Sequence, residues 1–116
     1  MKISTLKELL NAEVLTPVEN ECREVYSACG CDLMSDVLAY VKDQAVLLTG
    51  LVNPQVIRTA VMMDMVCVVF VRSKVPSEEM LELARESGIV VMTTDKRLYE
   101  ACGILYSNGL IGNCAK

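Results

Sequence analysis

QAVLLTGLVNPQVIRTAVMMDMVCVVFV, residues 44–71, reads as strand, turn, helix, strand. The first apolar run is Ala45 to Leu48. The second, Val66 to Val71, is unbroken and rich in β-branched residues, the pattern of a strand covered on both faces. Between them, Asn53 offers a side-chain oxygen for a helix cap. Pro54 has the fixed φ and missing N–H that suit the first helical position. Two strands joined through a helix make a right-handed βαβ crossover with parallel strands. Val56, Ile57, Ala60 and Val61 are expected to face the sheet, with Arg58 and Thr59 turned outward or along an edge. Met62, Met63 and Met65 extend the apolar surface past a single stripe, and this surplus is the expected self-association patch.

The alternation continues downstream. Arg72-Ser73-Lys74 leaves the buried strand, and Pro76-Ser77 opens a helix with Glu78, Glu79 and Glu82 early and Arg85 late, which complements its dipole. Met80, Leu81 and Ala84 form its buried side, and Gly88 ends it. Ile89 to Met92 is a short strand. Thr93-Thr94-Asp95 is expected to cap a last helix, Lys96 to Ser107, with a stripe of Leu98, Ala101, Cys102 and Leu105, stopped by Asn108-Gly109. Upstream, Asp32 or Ser35 caps a helix that runs to about Lys42, with Met34, Val37, Leu38 and Val41 facing the core. Cys22 to Ala28 reads as a strand broken by Cys29-Gly30-Cys31. Thr5 and Glu8 make a capping box for a helix from Leu6 to Asn11, and Glu13 to Leu15 is a short strand ended by Thr16-Pro17. The expected fold is therefore α/β: one domain, with a mostly parallel sheet flanked by helices in three α/β/α layers. Its core spans about residues 23–110. An N-terminal helix and strand occupy 4–15, and 111–116 is a tail or short added strand. The N-terminal third adds one or two strands at an edge.

The 116 residues suit a single domain with a core of its own. A hydrophobic share of 53% is high for a monomer of this size, so a homodimer is expected. The net charge of -4 and the lack of a Lys/Arg cluster do not suit nucleic acid. MKISTLKELL has no apolar signal region, and no apolar run reaches the length of a membrane span, so a cytoplasmic protein without membrane attachment is expected. In that reducing compartment Cys22, Cys29, Cys31, Cys67, Cys102 and Cys114 read as free, mostly buried thiols. There is no C-x-x-C pair, and Cys29-x-Cys31 with Cys22 is not a usual zinc spacing, so no metal and no cofactor are expected. The sequence contains no histidine, no phosphate loop and no G-x-G-x-x-G. No catalytic residue is assigned.

In an open parallel sheet, ligands bind beyond the carboxyl ends of the strands. Three loops meet there: Thr49 to Asn53, Arg72 to Lys74, and Thr93 to Asp95. Each precedes a helix N-terminus, which favours an anion. The candidate ligand residues are Thr49, Gly50, Asn53, Arg72, Ser73, Thr93, Thr94 and Asp95, and a phosphate-bearing metabolite or nucleotide is the expected ligand class. Each has a plainer role beside the functional one. Asn53, Thr94 and Asp95 are ordinary helix caps, Gly50 an ordinary turn, and Arg72 an ordinary strand-end charge. Asp32, Ser35 and Asp36 could orient a ligand, but capping and a solvated first turn explain them.

The order of these pieces resembles the DRTGG domain. The matching residues are Cys31-Asp-Leu-Met-Ser-Asp-Val-Leu38, Asn53 with the apolar helix after it, the buried strand Val66 to Val71, and Pro76-Ser-Glu-Glu79. Gly88-Ile89, Thr93-Thr94 and Leu105-Tyr106-x-x-Gly109 also fit, so the resemblance runs from about Arg23 to Leu110. That module occurs alone in small bacterial proteins, joined to CBS domains or a phosphotransacetylase, and is related to the N-terminal domain of HPr kinase. The resemblance implies a dimerising regulatory module associated with metabolic enzymes, not a catalyst. The expected function is a non-catalytic regulatory or adaptor domain, acting as a homodimer and sensing a phosphate-bearing metabolite or nucleotide. The alternatives are a nucleotide or sugar-phosphate binder without a dimer-dependent role and a thiol- or metal-based redox protein.

Overall fold

The computed structural model describes residues 1–16, 23–40 and 44–111. In chain order these form α1 (Ile3–Leu10), β1 (Glu13–Val14), β2 (Ser27–Gly30), α2 (Met34–Tyr40), β3 (Ala45–Thr49), α3 (Pro54–Met62), β4 (Cys67–Phe70), α4 (Glu78–Ser87), β5 (Val90–Thr93) and α5 (Leu98–Ser107). The strands make one sheet in the order β1-β5-β4-β3-β2. β1 runs antiparallel to β5 and the other three pairs are parallel. The N-terminal third thus supplies one strand to each edge.

Both faces of the sheet are covered, which is why β3 and β4 contain no polar alternation and are buried along their whole length. On one face Val46, Leu48, Cys67, Val69 and Met92 pack against Ile3, Leu6 and Leu10 of α1 and Ala101 and Leu105 of α5. On the other, Leu47, Val68, Phe70 and Val91 meet Met34 and Val37 of α2, Val56, Ile57 and Ala60 of α3, and Met80 and Ala84 of α4. The register aligns Thr49 with Phe70 and Phe70 with Thr93, so β3, β4 and β5 end level.

Local signals worked as the chemistry requires at two helices. Asn53 accepts from Gln55 N at 2.8 Å with Pro54 beginning α3. Ser77 accepts from Met80 N, and Gly88, at φ 74, closes α4 in the left-handed region. Elsewhere the structure departs from expectation. α1 starts at Ile3, so Thr5 and Glu8 lie inside it and Lys2 caps it without a side-chain bond. Cys29-Gly30 does not break β2, because the pair continues the ladder against Leu47 and Leu48. On α3, Thr59 is buried and Val61 is 41% exposed, the reverse of the expected order. The buried arc runs from Thr59 through Val56 and Ala60 to Ile57, since α3 is flanked by both α2 and α4. Leu38 on α2 is 39% exposed, beyond the side that Met34 and Val37 bury. Ile111 O accepts from Ala28 N at 3.1 Å, so the chain after α5 returns to the β2 edge. Val41, Lys42, Pro17, Asn20, Cys22, Cys114 and the tail from 112 lie outside the described residues.

Candidate functional site

The three loops expected to form a rim do emerge side by side from the level ends of β3, β4 and β5. Their polar groups, however, mostly face one another. Thr49 is fully buried, and its hydroxyl donates to Asp32 Oδ1 at 2.9 Å. Gly50 N donates to the same oxygen at 2.8 Å, and Leu51 N donates to Thr49 Oγ1 at 3.1 Å. Asp32 is therefore no helix cap. It ties the loop after β2 to the loop after β3.

Arg72 and Ser73 form a tight turn with both φ values positive, 58 and 57. Non-glycine residues occupy that region only when their surroundings hold them there. Here Arg72 N donates to Lys96 O and Ser73 N to Thr94 O, each at 2.8 Å. The Thr93 hydroxyl donates to Lys74 O at 2.6 Å, completing a zip between the loops after β4 and β5. The buried Thr94 hydroxyl donates to Leu10 O at 2.7 Å and accepts from Lys96 N, which fastens α1 to the same loop. Asp95 does not cap α5. That helix begins later, at Leu98, after Arg97, because residues 94–96 are engaged with the Arg72 turn.

Of the eight candidate ligand residues, Ser73, Thr93, Thr94 and Asp95 share an open hollow of about 300 Å³. Asn11, Glu13 and Val75 complete its lining. Thr49, Gly50, Asn53 and Arg72 do not line it. The Arg72 guanidinium instead lies over Gly50, where a Cβ would collide with it. The hydroxyls of Thr49, Thr93 and Thr94 are spent on the protein itself. The start of α3 is also saturated: Pro54 has no N–H, Gln55 N is capped by Asn53, and Val56 N bonds to Asn53 O. The expected anion seat at that helix is thus filled by its own cap.

Of the expected interface methionines, Met62 is 69% exposed and Met63 is half-buried. Met65 is buried in the core beside α3, since Asp64, at φ 53, turns the chain back into the sheet. It presents nothing to a partner.

Cys29 and Cys31 pack against the core on the sheet face that α2, α3 and α4 cover, and Cys102 sits against Gly30, where a Cβ would strike its sulfur. Among the described residues no three His, Cys, Asp or Glu side chains are grouped to hold a metal ion. Burial pushes the Cys29 thiol up to about 11, with Cys31, Cys102 and Asp36 adding to the rise. Burial also raises Cys67 and Cys102. Against the ordinary value of 9.0, Cys29 is left with a thiolate fraction at pH 8 about a hundredfold smaller. The greater nucleophilicity of a more basic thiolate offsets part of this, so labelling on the order of tenfold slower than a free thiol is expected. Timed alkylation at pH 8 with peptide mapping checks it. Labelling of Cys29 at the free-thiol rate would contradict this environment.

No family model matches the sequence, and no curated protein matches it. Among solved structures, the fold is similar to the CBS and DRTGG domains of the regulatory region of Clostridium perfringens pyrophosphatase, complexed with its activator diadenosine tetraphosphate. The TM-score is 0.76 at 17% identity, covering 90% of this chain. The chain spans 45% of the length of that structure. At this identity the likeness is one of fold. No helix among the described residues is long and apolar enough to cross a membrane.

Proposed function

We propose that this chain is a non-catalytic regulatory or adaptor module of the DRTGG type that acts as a homodimer beside a metabolic enzyme. The observation that carries the reading is the overlap of nine-tenths of the chain with a regulatory region. The internal use of three rim hydroxyls supports it: those of Thr49, Thr93 and Thr94 hold the loops together. Sedimentation equilibrium at micromolar concentration tests the reading, and a monomer throughout that range removes the dimer.

A second reading, small-molecule sensing, is favoured by the hollow at Ser73 and Thr93–Asp95, whose size is at the lower end for ligand sites. A phosphate placed there would face Glu13 and Asp95, so a neutral polyhydroxyl or cationic ligand suits the lining better than a nucleotide's phosphates. Thermal-shift screening with nucleotides, sugar phosphates, polyols and amines separates these classes. A true ligand raises stability as RT ln(1 + [L]/Kd). A flat screen at millimolar concentrations leaves the adaptor role alone.

A further inference from the structure

A second hollow, of about 240 Å³, lies at the opposite end of the sheet from the rim. Gln44 stands just before β3, Asp64 and Met65 before β4, and Ile89 before β5, so this is where the parallel strands begin. The C-terminal ends of the neighbouring helices α3 and α4 border it. Met65 and Ile89 are buried and give it an apolar base.

Four polar side chains line it: Arg23, Gln44, Asp64 and Ser87. The Arg23 guanidinium donates to Gly88 O at 2.6 Å, which places the cation at the end of α4, where the helix dipole suits it. Capping is its plainer role, but one bond leaves most of the guanidinium fork open. Asp64 stands at the end of α3. Among the described residues neither charge belongs to an ion pair, and the Asp64 carboxylate, the Gln44 amide and the Ser87 hydroxyl bond to no other protein group. This is the reverse of the rim, where the threonine hydroxyls are spent internally. The backbone holds two of the four in place. Gln44 has φ 62 and Asp64 φ 53, and Gln44 N donates to Asp64 O while Tyr26 N donates to Gln44 O, each at 3.0 Å. Aspartate visits that region readily and glutamine does not, so the turn itself gives no reason for the longer amide.

We propose that this hollow binds a free amino acid with an apolar side chain. Arg23 takes the carboxylate and Asp64 the ammonium through charge-assisted bonds. Gln44 and Ser87 add neutral bonds, and the ligand's side chain lies on Met65 and Ile89. Charge selects this class. Arg23 and Asp64 line one hollow yet are too far apart to pair, and a molecule with both charges bridges them. A phosphate would meet Asp64 as a like charge, and a diamine would meet Arg23 as one. Size agrees, because the hollow is smaller than the roughly 300–1,000 Å³ of drug-sized sites. The site is separate from the hollow beside Ser73 and does not depend on a dimer.

Amide NMR spectra of the full chain with each apolar L-amino acid, alanine to phenylalanine, at about 10 mM test it. Saturable shifts at Gln44, Asp64 and Ser87 are expected for at least one, with a Kd of about 1 mM or tighter. For that amino acid, Arg23→Gln and Asp64→Asn should each raise Kd at least about tenfold. Asparagine tolerates the positive φ at 64, so that variant keeps the turn. The amine that lacks only the carboxylate should bind the wild type at least about tenfold more weakly, and Arg23→Gln should not weaken it further. Weakening of both ligands alike by Arg23→Gln would make Arg23 a helix cap alone and overturn the site. An unchanged Kd in either variant, or no saturable shift with any amino acid, also overturns it. Shifts confined to Ser73, Thr94 and Asp95 overturn it as well, but leave the sensing reading of the other hollow standing.

Discussion

Phe70→Ala is expected to lose about 3–5 kcal/mol of folding stability. Phe70 is fully buried on β4, the middle strand of five. Its ring fills the layer between the sheet and α2, α3 and α4. A cavity there cannot close easily, because it is bordered by the sheet on one side and several helices on the other. A domain of this size holds roughly 5–15 kcal/mol in total, so a large fraction is at stake. Urea unfolding checks it: the midpoint should fall with the m-value unchanged, and Tm should drop on the order of 10–20 °C. The position also bears on the rim, since Phe70 O accepts from Thr94 N at 3.0 Å where the loop after β5 begins. A loss under about 1 kcal/mol would mean that the ring is not enclosed as described.

The βαβ unit around Phe70 was legible from local signals. Unbroken apolar runs marked the covered strands, and Asn53-Pro54, Ser77 and Gly88 marked the helix ends through hydrogen bonds within a few residues. Thr59 and Val61 exchange their expected places because a helix flanked on two sides buries a wider arc than its apolar stripe. Met65 departs from its expected exposed position for a different reason. The left-handed turn at Asp64, which returns it to the core, has no distinctive residue to announce it. The short edge strands β1 and β2 were only partly legible. Four residues or fewer show no period, and their bounds come from pairing with β5 and β3.

The rim was legible as a place and not as a set of interactions. That three loops converge follows from the parallel order. That they are fastened to one another follows from contacts far apart in sequence, such as Thr94 with Leu10 and Thr93 with Lys74. Asp32 is the clearest case. With the expected strand ending at Ala28, Asp32 falls at a helix start. With β2 running through Gly30 opposite Leu48, continuing the register by two residues brings Asp32 beside Gly50. A carboxylate shortly after one strand and a Thr-Gly turn after its parallel neighbour is thus a usable signal, but only once the register is known.

That contact yields the second large prediction. Asp32→Ala removes the acceptor of two hydrogen bonds at once, from the Thr49 hydroxyl and the Gly50 amide. Bonds to an ionised group contribute about 1.5–3 kcal/mol, but Asp32 is itself exposed, so water replaces part of what is lost. Thr49 is fully buried, and its hydroxyl has no such substitute. A net loss of about 1–3 kcal/mol is expected. Asp32→Asn, which keeps a neutral oxygen acceptor, should lose less. A double-mutant cycle with Thr49→Val separates this bond from general disruption of the loop, and a coupling of about 0.5–3 kcal/mol is expected for groups in direct contact. Hydrogen exchange at Gly50 and Leu51 provides a second readout, because their amides donate to Asp32 and to Thr49 respectively. Faster exchange confined to this loop, with protection elsewhere scaling only with global stability, is the expected pattern. Strictly additive losses with unchanged exchange at Gly50 would make the carboxylate incidental, and the loops after β2 and β3 would then be held by the sheet alone.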